Sequence, residues 1–114
     1  MKRILLIAAV VLSACQIDSP APSGDKATTA ITISDFAFQP GTARMAVGQA
    51  VTFTNNDGFA HKIAWNTVPA GASSTGSSDL GQGQSYTYTP SAAGDYAYQC
   101  GIHSSMKGSL VVTP

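Results

Sequence analysis

Gly94-Asp95-Tyr96-Ala97-Tyr98-Gln99-Cys100-Gly101-Ile102-His103-Ser104-Ser105-Met106-Lys107-Gly108-Ser109-Leu110-Val111-Val112 reads as two strands joined by one short loop. Before the loop, Tyr96, Tyr98 and Cys100 alternate with Ala97 and Gln99, so one face carries two rings and the thiol. After it, Leu110 and Val112 alternate with Ser109 and Val111, which predicts the closing strand. Cys100, His103 and Met106 lie between them. Their spacing is too tight for a helix face to matter, and a loop can curl all three around one point.

Working outward, the same period of two recurs. Ile31 and Ile33 flank Thr32, and Phe36 and Phe38 continue the pattern after a break at Ser34-Asp35. Pro40-Gly41 marks a turn, and Arg44 to Val47 runs through Gly48-Gln49 into Val51-Thr52-Phe53-Thr54, which predicts a hairpin. After the turn Asn55-Asn56-Asp57-Gly58, a strand from Ala60 to Trp65 puts His61, Ile63 and Trp65 on one inward side. Asn66 to Ser78, rich in Ala, Gly, Ser and Thr, has no periodicity and reads as a long surface loop without an assigned role. Gly81 to Gly83 turns the chain into Ser85 to Thr89, where Tyr86 and Tyr88 share a face. Met45 reads as core. No stretch keeps a helical spacing, so the expected fold class is all-β, a sandwich of about seven to eight strands. A domain of this size buries only about 60–65% of its unfolded surface and is expected to gain stability from a bound metal.

The N-terminus predicts a different fate. Met1-Lys2-Arg3, the apolar run Ile4 to Leu12, and Ser13-Ala14 before Cys15 have the form of an export signal. The run is shorter than the roughly 20 residues a membrane span requires. Leu12-Ser13-Ala14-Cys15 resembles a bacterial lipobox, which implies cleavage before Cys15 and its lipidation; an ordinary signal peptide, with Cys15 incidental, is the alternative. The expected organisation is a lipoprotein signal over 1–14, a flexible linker over 15–28 beginning at lipidated Cys15, and one folded domain over 29–114. The linker, with Ser19, Pro20, Pro22, Ser23 and Gly24, lacks core-forming residues. The protein is then expected to be extracytoplasmic, in the periplasm or at the cell surface, and tethered to a membrane.

Past the signal, Lys26, Arg44, Lys62 and Lys107 face six Asp residues, and Glu is absent. That mild acidity and the lack of clustered cations argue against nucleic-acid binding. If Cys15 carries lipid, Cys100 has no disulfide partner in an oxidising compartment and must be an intermolecular bridge, a reactive group or a metal ligand. Taken singly, His61 would be a satisfied core residue, His103 a surface loop residue and Met106 core filler. Their joint placement around the unpaired thiol favours a metal. Soft sulfur donors with two imidazoles and a weak axial Met suit copper in an electron-transfer site, and His61 is the only candidate for the second imidazole.

Val47-Gly48-Gln49-Ala50-Val51-Thr52-Phe53-Thr54-Asn55-Asn56-Asp57, His61, Gly94 to Cys100, His103 and Met106-Lys107-Gly108 resemble the cupredoxin (blue copper) family, within it the plastocyanins and amicyanins. The resemblance spans about Ile31 to Val112. It implies a Greek-key sandwich and one copper ion held by His61, Cys100, His103 and Met106. It further implies an electron port at the edge of His103, with Phe59, Ala60 and Ile102 as an apolar rim for transient redox partners. The gap between His103 and Met106 matches the short, amicyanin-type ligand loop. The family usually has Asn after the strand His; Lys62 stands here, so that brace is expected to be missing or supplied by Asn55 or Asn56. Amicyanin has Pro where this chain has Ile102 and Ser104, so Ile102 is expected to donate an extra N–H to the Cys100 sulfur.

The expected function is thus a monomeric, single-copper electron carrier cycling Cu(I) and Cu(II). A copper delivery protein is the alternative, although Met-rich or paired-Cys motifs are lacking. An enzyme would need an open coordination position with acid–base groups beside it, and no third His or spare carboxylate cluster is present.

Overall fold

The computed structural model describes residues 27–114. The predicted signal, Cys15 and most of the linker lie outside the described residues. Eight strands follow in order: β1 (Ala30–Ser34), β2 (Ala37–Gln39), β3 (Thr42–Ala46), β4 (Val51–Asn55), β5 (Ile63–Thr67), β6 (Ser85–Tyr88), β7 (Gly94–Cys100) and β8 (Lys107–Thr113). They form two four-stranded sheets, ordered β2-β1-β4-β6 and β3-β8-β7-β5, the all-β sandwich the alternation predicts.

Along β4 and β7 every second residue is buried, so Val51, Phe53, Tyr96, Tyr98 and Cys100 all enter the space between the sheets. The core they build is strongly aromatic. Tyr98 meets Phe38 edge-on at 4.9 Å and Phe53 at 5.2 Å, while Trp65 lies 4.4 Å from Tyr88. Met45 is buried among these residues, as expected.

The predicted hairpin across Gly48-Gln49 does not form. β3 pairs in parallel with β8, whereas β4 pairs in parallel with β1 and antiparallel with β6. The turn at Gly48 (φ 89°) therefore carries the chain from one sheet to the other, closed by Gln49 N–H to Ala46 O at 3.1 Å. Met45 and Val51 can then face the same core from opposite sides, which a shared sheet would not allow. The strand expected from Ala60 begins only at Ile63, and His61 makes an isolated bridge with Leu80.

The segment after β5 is the surface loop expected, mostly exposed, but it is pinned to its neighbours. Ser77 N–H donates to Ile63 O at 3.0 Å, and the hydroxyls of Tyr86 and Tyr88 donate to Thr75 O and Ser73 O, each at 2.7 Å. Parallel pairing of β1 with β4 brings the β1–β2 turn and the β4–β5 loop to one end of the sandwich, with Asn56 N–H donating to Ile33 O at 2.8 Å. β7 ends there as well, because Cys100 pairs with Ile63. The loops that matter chemically converge at that end.

Candidate metal centre

Cys100 closes β7 and is fully buried. Its backbone is fixed by its own N–H to Met106 O at 2.9 Å, and the next residue, Gly101, donates to Lys62 O at 2.8 Å. The loop then folds back through Met106 N–H to His103 O at 2.9 Å. His61 is held from the other side by reciprocal bonds with Leu80, at 3.0 and 2.7 Å.

These backbone ties aim the ligand atoms. The Nδ1 atoms of His61 and of His103 each lie 3.7 Å from Cys100 Sγ, and one donor atom from each of the three residues falls within 4.8 Å of the others. Bonds of about 2.0 Å to nitrogen and 2.3 Å to sulfur, opened to a trigonal angle, put such donors about 3.7 Å apart. The cluster therefore has the size and the soft donor chemistry of a copper site. Met106 is buried at the end of the same loop. The four residues singled out in the sequence share one end of the sandwich.

The sulfur also accepts hydrogen bonds. Ile102 N–H and His103 N–H both point to Cys100 Sγ at 3.4 Å; the first matches the expectation raised by Ile102, and the second adds to it. The brace takes another form than expected. Asn55 is fully buried and donates to Phe59 O and Leu80 O, each at 2.8 Å, while its Oδ1 accepts Asp57 N–H at 2.9 Å. It thus secures the loop leading to His61, and the Cys–Met loop is tied by the carbonyl of Lys62.

Two participants escaped the sequence reading. Phe36 continues no strand: Asp35 and Phe36 adopt left-handed φ values of 53° and 57°, which cost L-residues about 1–2 kcal/mol each. The turn throws the Phe36 ring over the site, edge-on to His61 at 5.4 Å and to His103 at 5.2 Å. Asp57 makes this turn possible. Its Oδ1 accepts Asp35 N–H at 2.7 Å, and its Oδ2 accepts Phe36 N–H at 3.0 Å and lies 2.8 Å from His61 Nε2. The Phe36 N–H, ahead of the bonds from His61 and Asp35 and against desolvation, holds the Asp57 carboxyl below its usual range. A carboxylate only accepts, so the 2.8 Å contact is a hydrogen bond with His61 Nε2 as its donor, and the ring then turns its Nδ1 atom toward the sulfur. The sole trace of this in sequence is an Asp four residues before His61.

A two-sheet sandwich holding two imidazoles and a buried thiol at one end defines a class, the single-copper redox proteins. The family assignment follows: residues 25–113 match the copper binding proteins of the plastocyanin/azurin family, and the chain belongs to that family. Amicyanin-alpha of Methylorubrum extorquens is 31% identical over 105 residues, spanning 92% of this chain and 86% of its own. Plastocyanin of Daucus carota is 37% identical over 84 residues, spanning 67% and 87%. Among solved structures, a reduced amicyanin variant shares the fold with a TM-score of 0.68 at 24% identity, covering 75% of this chain and 82% of its own. The copper nitrite reductase of Thermus scotoductus superposes with a TM-score of 0.69 at 26% identity over 86% of this chain, but over only 25% of the enzyme.

Proposed function

We propose that the protein is a type 1 copper electron carrier in which His61, Cys100, His103 and Met106 would hold one copper ion, exchanging single electrons with extracytoplasmic partners. The observation that carries this is the convergence of two imidazole Nδ1 atoms on one buried thiol, each at 3.7 Å. Copper supplies the one-electron Cu(I)/Cu(II) couple. The chain holds the ligands in fixed positions through the ties at Lys62, Leu80 and Met106, so little has to move between oxidation states.

Three of the four exposed large apolar residues among those described, Phe36, Phe59 and Ile102, surround this end at 44, 62 and 46% exposure. Half-buried His103 sits among them. Such a small apolar rim around an accessible imidazole edge suits brief docking of a redox protein. The reading extends to a monomer released from a signal over 1–14, lipidated at Cys15 and tethered by the linker over 15–28, with the copper domain over 29–114. Electron carriage is favoured over catalysis because the match to the nitrite reductase covers a quarter of that enzyme, one module of a larger machine. It is favoured over copper delivery because the thiol is fully buried, which suits a resident ion.

The visible spectrum of the purified protein with one equivalent of Cu(II) tests the reading. An intense blue sulfur-to-copper band that bleaches on reduction is expected, and Cys100→Ser should abolish it. A pale spectrum in the wild type would sink the type 1 assignment.

A further inference from the structure

We infer that Asp57 is a positioning residue for His61: its carboxylate locks the imidazole with Nδ1 toward the copper, strengthens that nitrogen as a donor, and bonds the same imidazole to the turn bearing Phe36. The inference rests on the copper reading above. Oδ2 of Asp57 is shared between His61 Nε2 at 2.8 Å and Phe36 N–H at 3.0 Å, and Oδ1 takes Asp35 N–H at 2.7 Å. Three donors thus meet on one side chain, and its own N–H is fixed by Asn55 Oδ1 at 2.9 Å. The carboxylate cannot swing away without breaking the bonds from His61, Phe36 and Asp35 together.

The chemistry follows from the charge. A carboxylate accepting from the remote ring N–H fixes the tautomer and raises the basicity of the ligating nitrogen. A stronger, more anionic donor favours Cu(II) over Cu(I), so this contact lowers the potential. It opposes the two N–H bonds from Ile102 and His103 to Cys100 Sγ, which favour Cu(I). The contact also has a mechanical side. The ring of Phe36 covers the edges of both histidines, and its backbone hangs on the oxygen that holds His61. A partner pressing on Phe36 acts on a residue bonded through Asp57 to a ligand.

The test is Asp57→Asn in the purified protein, with Asp57→Glu as the rescue. In metal-free wild type, long-range nitrogen–proton NMR should show His61 as the Nε2–H tautomer with a downfield, exchange-protected proton. In Asp57→Asn that protection should be lost. Copper(II) affinity should fall about 10- to 100-fold, with Cu(I) affinity falling less; each tenfold difference between the two raises the midpoint potential by about 59 mV. Asp57→Glu should return the potential toward the wild-type value. An unchanged potential in folded Asp57→Asn, a Glu variant that behaves like Asn, or a wild-type His61 in the Nδ1–H tautomer would each overturn the inference. If Asp57→Asn does not fold, the wild-type tautomer decides. A wild type without a blue band sinks the copper reading instead, and the metal-free NMR still judges Asp57.

Discussion

Ile102 shows how one residue acts at the metal centre through its backbone. Its N–H reaches Cys100 Sγ at 3.4 Å, and a hydrogen bond to sulfur stabilises thiolate charge and weakens its donation to Cu(II). Proline has no N–H to offer. Replacing Ile102 by Pro should therefore lower the midpoint potential, by roughly 20–60 mV if the bond contributes about 0.5–1.5 kcal/mol at about 59 mV per tenfold change. Protein-film voltammetry reads the shift, and an unchanged potential would show that the 3.4 Å contact carries no electronic weight. Lys62 acts through its backbone too, because its carbonyl, whatever the side chain, accepts from Gly101. Side-chain identity at that position was the apparent departure from the family, and the main chain does the tying.

Between elements, the contact of β7 with β8 has a feature of its own. Tyr98 lies directly across from Gly108, and a Cβ at Gly108 would run into the Tyr98 ring and hydroxyl. The ring fills the space a side chain would take, the cross-strand covering of glycine by an aromatic. Gly108→Ala should cost about 1–3 kcal/mol as overpacking, read from urea unfolding. The Tyr98 hydroxyl is buried and has no hydrogen-bond partner among the described residues. Since an unsatisfied buried hydroxyl is costly, Tyr98→Phe should leave stability unchanged or raise it by about 1 kcal/mol. A clear loss of stability in Tyr98→Phe would mean the hydroxyl is satisfied in solution.

The whole molecule answers to alkali through its aromatic core. Burial raises the Tyr86 and Tyr98 hydroxyls above the ordinary tyrosine value, and it pushes Tyr88 up to about 12, with the neighbouring Tyr96 adding to the effect. Such groups hold their protons longer in the folded state than in the unfolded chain. The resulting stability is fully present below about pH 10 and falls as pH rises from there toward the folded values. Unfolding should thus set in cooperatively above about pH 10, with tyrosinate absorbance at 295 nm and loss of near-ultraviolet dichroism rising together. Tyrosinate appearing with its ordinary midpoint while the fold persists would contradict the burial. Hydroxyl bonds from Tyr86 and Tyr88 to the segment after β5 make that loop part of the same transition.

Much was legible along the chain because its signals are local. Alternation of apolar residues set the strands, turn residues separated them, and the spacing of Cys100, His103 and Met106 placed three donors on one loop. His61 joined them by being the only other imidazole. Alternation does not say which sheet a strand enters, so Gly48-Gln49 looked like a hairpin when β3 and β4 in fact belong to opposite sheets. Phe36 looked like a strand residue because its left-handed backbone depends on Asp57, which lies 21 positions away. Composition and spacing thus pointed to a strand-built copper protein and to the thiol and imidazole side chains that the fold brings together. Only the tertiary structure decided what surrounds His61, because the parallel pairing of β1 with β4 brings Asp57 and Phe36 to it, and long-range pairing leaves no periodic mark in sequence.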